Sequence, residues 1–155
     1  MQIIAVGTNH KLAPIEVREK IAFEPGQEAQ FLDMLLEEEC VNEAVVLSTC
    51  NRTEVYALIT GNACGKLILE KLLSFHGLEG ADPNDFVYEF LNADAVKHLF
   101  EVASSLDSLV VGESQILSQV KSAYELARSR GATGATFNRL FQKAFKVAKQ
   151  VRSAT

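Results

Sequence analysis

At 155 residues, with 48% apolar and 23% charged side chains, the chain has the size and composition of one soluble domain with a buried core, which excludes disorder throughout. Its apolar runs fall far short of the ~20 residues that cross a bilayer, and the opening Met1–Gly7 lacks a basic n-region and cleavage site, so no membrane partner and a cytoplasmic location are expected. The net charge of -5 is uneven: residues 1–120 carry 7 Lys/Arg against 19 Asp/Glu, and residues 121–155 carry 8 against 1.

Gln2 to Thr8 is a short β-branched run, stopped by Asn9-His10-Lys11-Leu12-Ala13-Pro14, whose proline cannot extend a ladder. Ile15 to Glu39 has helical spacing broken at Pro25-Gly26, which predicts two helices. Ala44 to Leu47 reads as a second strand and Thr53 to Thr60 as a third, alternating Val55, Ala57 and Ile59 with Tyr56 and Leu58. The polar Ser48-Thr49-Cys50-Asn51-Arg52 between them should form the tip of a hairpin. A helix carrying Leu67, Ile68, Leu72, Leu73 and Phe75 ends near His76-Gly77, and Phe86 to Phe90 supplies a fourth strand. The order β-α-β-β-α-β predicts an α+β fold, a ferredoxin-like sandwich with a mostly antiparallel four-stranded sheet and helices on one face.

From Asp94 the chain reads as all helical, with one stripe through Ala95, Val96, Leu99, Phe100 and Ala103 and another through Ile116, Leu117, Val120, Tyr124 and Ala127, separated at Gly112. A last helix follows Gly134 with Phe137, Leu140, Phe141, Ala144, Phe145, Ala148 and Val151 on its apolar side. No Gly, Pro or Asn closes it, which predicts a long helix truncated by the end of the chain. The expected division is residues 1–92 as the ferredoxin-like subdomain, 93–134 as a helical completion, and 135–155 as the start of a long connecting helix.

Cys40, Cys50 and Cys64 are odd in number with no Cys-x-x-Cys pair, so free thiols are expected, with no disulfide framework and no metal. Cys50 stands apart because hydroxyls, an amide and the Arg52 guanidinium surround it, and a nearby positive charge favours the nucleophilic thiolate; the alternative is an inert cysteine in a polar turn. His98, at the margin of an apolar stripe, is either a structural imidazole or an acid/base partner for the thiol. His10 is a weaker candidate, and His76 reads as a helix C-terminal cation. Gly112 permits a close turn before Glu113, Ser114 and Gln115, with Gln115 and Gln119 one helical turn apart; these residues are either ordinary capping residues or a grip on a small polar ligand. The basic terminal helix could meet a polyanion such as RNA, or be a solvated face.

Four separated motifs, Gly7-Thr8-Asn9-His10-Lys11-Leu12-Ala13-Pro14, Ser48-Thr49-Cys50-Asn51-Arg52-Thr53-Glu54, Ser108 to Ile116, and Phe141-Gln142-Lys143-Ala144-Phe145, together resemble glutamyl-tRNA reductase, and the resemblance spans the whole chain but only the N-terminal part of that family's architecture. It implies that Cys50 attacks the ester joining glutamate to tRNA(Glu), leaving a glutamyl thioester, and that NADPH then reduces the thioester to glutamate-1-semialdehyde for tetrapyrrole biosynthesis. It further implies substrate contacts by Thr49, Asn51, Arg52, Ser108, Glu113, Ser114, Gln115 and Gln119, with His98 linked to activity. Arg52 would clamp a carboxylate through its planar fork. Ser114 stands where many members have proline. No strand followed by Gly-x-Gly-x-x-Gly occurs, so the NADPH-binding and dimerisation domains are expected outside this chain. Glutamyl-tRNA, a partner copy in a homodimer and hand-over to a downstream aminomutase are the implied partners. Two other readings are a thiol acyltransferase or hydrolase using Cys50 and His98, and a non-catalytic RNA- or protein-binding module, against which stands the absence of an RNA-stacking aromatic motif.

Overall fold

A computed structural model describes residues 1–78, 82, 85–106 and 115–154. The elements run β1 (Gln2–Asn9), α1 (Ile15–Ile21), α2 (Gln27–Leu36), β2 (Val41–Ser48), β3 (Arg52–Ile59), α3 (Cys64–Phe75), β4 (Tyr88–Leu91), α4 (Ala93–Ala103), α5 (Ile116–Ser129) and α6 (Ala135–Ala154). The strands form one antiparallel sheet in the order β2-β3-β1-β4, the ferredoxin-like arrangement expected from the element order. The fourth strand starts two residues later than its apolar run suggested, and Phe86 is buried ahead of it. The Gly112 break lies outside the described residues.

Both faces of the sheet are covered, which is why every residue of β3 is buried. The expectation of helices on one face holds for α1 to α3 only. Val55 pairs with Val6 and Val46, and Ala57 with Ile4 and Ala44, so these side chains share the first face. Ile4 meets α3 there, and Phe31 of α2 packs at 5.3 Å from both Phe23 and Phe75. Arg52, Glu54, Tyr56 and Leu58 point to the second face. There Tyr56 meets Phe141 of α6 at 6.0 Å, and Tyr124 of α5 stacks on the same ring at 5.6 Å.

Two polar devices fix the terminal helices to the sheet. Glu43 of β2 accepts hydrogen bonds from the backbone N–H groups of Gly134 (2.5 Å) and Phe137 (2.9 Å), setting a carboxylate on the N-terminus of α6 where the helix dipole favours it. The N–H of Ala44 donates to the carbonyl of Ala132 at 2.9 Å, so the segment after α5 occupies part of the otherwise open edge of β2. At the other edge, Asn92 adopts φ 51° to turn β4 into α4, and its side-chain oxygen accepts from the N–H of Ile3 at 3.0 Å.

Cys40 and Cys64 are joined in a disulfide with their Cα atoms 5.9 Å apart, which corrects the expectation of three free thiols. Neither spacing nor an even cysteine count announced the pair. The sheet brings them together, because Cys40 leads into β2 and Cys64 opens α3 at the same end of the hairpin.

Candidate active site

Thr49 folds the tip of the β2–β3 hairpin. Its Oγ1 accepts from the N–H groups of Asn51 and Arg52, both at 3.2 Å, while its own N–H donates to the carbonyl of Arg52 at 2.8 Å. Cys50 sits inside this closed turn with an exposed, free thiol. Two neighbours clamp the turn from outside. Arg18 of α1 donates through Nη1 to the carbonyl of Cys50 at 3.2 Å and to Oδ1 of Asn51 at 3.5 Å, and the N–H of His10 donates to the carbonyl of Asn51 at 2.9 Å. Ser48 Oγ accepts the N–H of Phe23 at 3.1 Å, which ties the base of the turn to the segment after α1.

The guanidinium that touches the Cys50 backbone is therefore that of Arg18. Arg52, expected to supply the charge beside the sulfur, turns onto the second face of the sheet, where it is 1% exposed and pairs with Oε2 of Glu54 at 3.4 Å. Glu54 is the hub of a buried polar cluster. Tyr56 donates to its Oε1 at 2.7 Å, and Tyr88 and His98 Nε2 both meet its Oε2. A carboxylate can only accept, so Nε2 of His98 carries a proton, leaving Nδ1 as the nitrogen available for proton exchange. Phe90 flanks the imidazole at 4.7 Å between ring centroids and Tyr88 at 5.3 Å.

Burial by itself would raise the Glu54 carboxyl above its usual range. The hydrogen bond and charge of His98, the charge of Arg52 and the hydrogen bond from Tyr88 outweigh it, bringing the pKa down to about 2. Glu54 is thus ionised wherever the protein is folded near neutral pH. Burial pushes the Tyr56 phenol up, and the neighbouring Glu54 charge pushes it further, so Tyr56 remains a donor.

His98 is 6% exposed and faces a cleft of about 580 Å³ lined also by Asn9, Lys11, Tyr88, Phe90 and Lys97. Cys50 is not among the residues lining this cleft. The β1–α1 loop stands between them: Asn9 and Lys11 line the cleft, while the N–H of His10 holds the Cys50 turn. Gln119 lines a separate cavity of about 300 Å³ beside Ser48, Glu28 and Ser122, and Gln115 is exposed just before α5. Ser108, Glu113 and Ser114 lie outside the described residues. Among the described residues no group of three His, Cys, Asp or Glu could hold a metal ion, and no helix is long and apolar enough to cross a membrane.

Sequence reasoning missed Glu54, Tyr88 and Arg18 as parts of this site. Glu54 did leave a signal, an acidic residue on the Tyr56 side of a strand buried on both faces, two residues from Arg52. Arg18 left none, because its reach to Cys50 exists only once α1 packs beside the hairpin.

Residues 6–155 match the family model described as "Glutamyl-tRNAGlu reductase, N-terminal domain". The chain is 51% identical over its whole length to a glutamyl-tRNA reductase of Pseudoalteromonas translucida, covering 37% of that protein, and 48% identical to one of Chromohalobacter salexigens, covering 36%. A solved structure, "Glutamyl-tRNA Reductase from Methanopyrus kandleri", superposes with a TM-score of 0.79 and 33% identity, over 99% of this chain and 35% of that one. The chain thus spans a little over a third of the length of the curated relatives it matches.

Proposed function

The chain belongs to the glutamyl-tRNA reductase N-terminal-domain family, and on that premise we propose that it is the domain in which the Cys50 thiolate takes glutamate from glutamyl-tRNA(Glu). The sulfur attacks the ester carbonyl carbon, the bond from that carbon to the tRNA 3′ oxygen breaks, and the oxygen leaves with a proton as the glutamyl thioester remains on Cys50. The observation that carries this reading is an exposed thiol on a turn fixed by Thr49, Arg18 and the His10 N–H. A nucleophile so held loses little freedom on reaction.

We assign proton transfer to His98, as the resemblance implies; Glu54 fixes its tautomer, and the cleft that His98 faces lies across the β1–α1 loop from Cys50. Thr49 and Asn51 serve by shaping the turn. The resemblance further implies that Ser108, Glu113, Ser114, Gln115 and Gln119 contact the substrate. Arg52 is 1% exposed and paired with Glu54, so a clamp on a substrate carboxylate needs its side chain to move from the observed position.

Reduction by NADPH to glutamate-1-semialdehyde, and transfer to a downstream aminomutase, are proposed for the longer homodimeric enzyme of the family. The described residues do not fit that dinucleotide: their sheet is antiparallel, without a parallel βαβ turn to seat a pyrophosphate.

Incubating the chain with tRNA(Glu) charged with labelled glutamate should trap an acid-stable labelled adduct that is absent in Cys50→Ser. Label retained by that variant would remove the thiol from the reaction.

A further inference from the structure

The disulfide lies at the end of β3 remote from Cys50, and its two sulfurs differ in environment. Cys40 is partly exposed and Cys64 is only 2% exposed. Both line a surface cleft of about 500 Å³ with Asn62, Lys66, Leu67 and Glu70, large enough for a peptide-sized thiol, and Lys66 supplies a cation for a carboxylate. Cys64 is the first residue of α3, a helix of 12 residues, and no side chain caps that N-terminus. Its unfilled N–H groups and the positive end of the dipole favour an anionic sulfur there. Exchange chemistry wants an accessible sulfur to attack and a stabilised thiolate to leave, and Cys40 and Cys64 divide those two requirements between them.

We propose that Cys40 and Cys64 form a reversible thiol–disulfide exchange site for a low-molecular-weight disulfide of the glutathione class, closing and opening a staple between the start of β2 and the start of α3. In closing, the Cys40 thiolate attacks one sulfur of glutathione disulfide and expels a first glutathione thiolate. Cys64 thiolate then attacks the Cys40 sulfur of the mixed disulfide and expels the second. The protein pair is oxidised by two electrons, glutathione disulfide is reduced to two thiols, and the two cysteine protons pass to the departing thiolates. Opening is the reverse, with glutathione attacking Cys40 and Cys64 leaving. The backbone hydrogen bond from Thr60 N–H to the Cys40 carbonyl, at 2.9 Å, and the bond from Asn42 Nδ2 to Thr60 Oγ1, at 2.9 Å, join the two loops without using either sulfur, so opening need not unfold the domain.

The test is made in the Cys50→Ser chain, so that its result does not depend on the proposed thioester chemistry. The protein is equilibrated across a series of reduced-to-oxidised glutathione ratios, quenched in acid, alkylated and weighed by mass spectrometry. Both alkylatable thiols should vanish together with the loss of two hydrogens as the oxidised form rises, and both should return in excess reduced glutathione. Adding Cys64→Ser should leave a lasting glutathione adduct on Cys40, whereas adding Cys40→Ser should leave Cys64 unmodified in the folded chain. Thiols alkylated at every ratio, separate glutathione adducts on both cysteines, or a bridge that excess glutathione does not open would each overturn the proposal. The titration of the intact pair decides it even if either further serine variant fails to fold.

Discussion

Glu54 shows how one buried carboxylate organises a polar cluster without touching Cys50. Held at a pKa of about 2 against 4.5 when unfolded, it contributes stability that is fully present above about pH 4.5 and is lost as pH falls towards 2. The difference amounts to roughly 3 kcal/mol. Urea unfolding at pH 7, 4.5 and 3 should show this acid loss in the native chain and a flatter profile in Glu54→Gln. At neutral pH the same variant should lose about 3–5 kcal/mol, because Arg52 is left buried without its counter-charge. Gly7 faces Glu54 across β1 and β3, and a Cβ there would lie 2.2 Å from the carbonyl oxygen of Thr53 and 2.9 Å from Glu54 Cγ. Gly7→Ala should therefore cost about 1–3 kcal/mol in unfolding free energy, and should displace the carboxylate that orients His98, which a shift in the His98 ring resonances would report.

At the level of elements, α6 depends on β2 for its start. Glu43→Ala removes the acceptor from two N-terminal N–H groups and should destabilise the domain by about 1–2 kcal/mol, while Glu43→Gln, which keeps an accepting oxygen, should retain most of that stability in thermal unfolding. The opposite side of α6 exposes Arg139, Lys143, Lys146, Lys149 and Arg152, with no acidic residue in the helix. If tRNA lies along this stripe, Lys143→Glu with Lys146→Glu should weaken binding and lower the slope of log affinity against log salt by about one for each lysine. An unchanged slope would place the tRNA elsewhere.

Across the whole molecule, the sheet was readable from the sequence because strand alternation and helical spacing are local, and β1, β2, β3 and α3 declare themselves within a few residues. What was not readable depended on contacts distant in the chain. Tyr56 and Leu58 alternate with Val55 and Ala57 whether one face is covered or two, and only the docking of α4 to α6 decides that Glu54 and Arg52 become interior. Likewise 24 residues separate Cys40 from Cys64, and nothing in that interval announces a meeting. Cys50 was visible because its turn is built from its own neighbours. Arg18 was not, since it lies 32 residues away from the carbonyl it holds.

The two outside clamps on the Cys50 turn differ in kind, and that difference predicts which sequence changes the turn can tolerate. Arg18 acts through its side chain, so no uncharged replacement reproduces its reach. His10 acts through its backbone N–H, a group that every amino acid except proline supplies. Among natural variants the grip at position 10 should outlast changes of residue identity, whereas loss of the arginine should release one side of the loop.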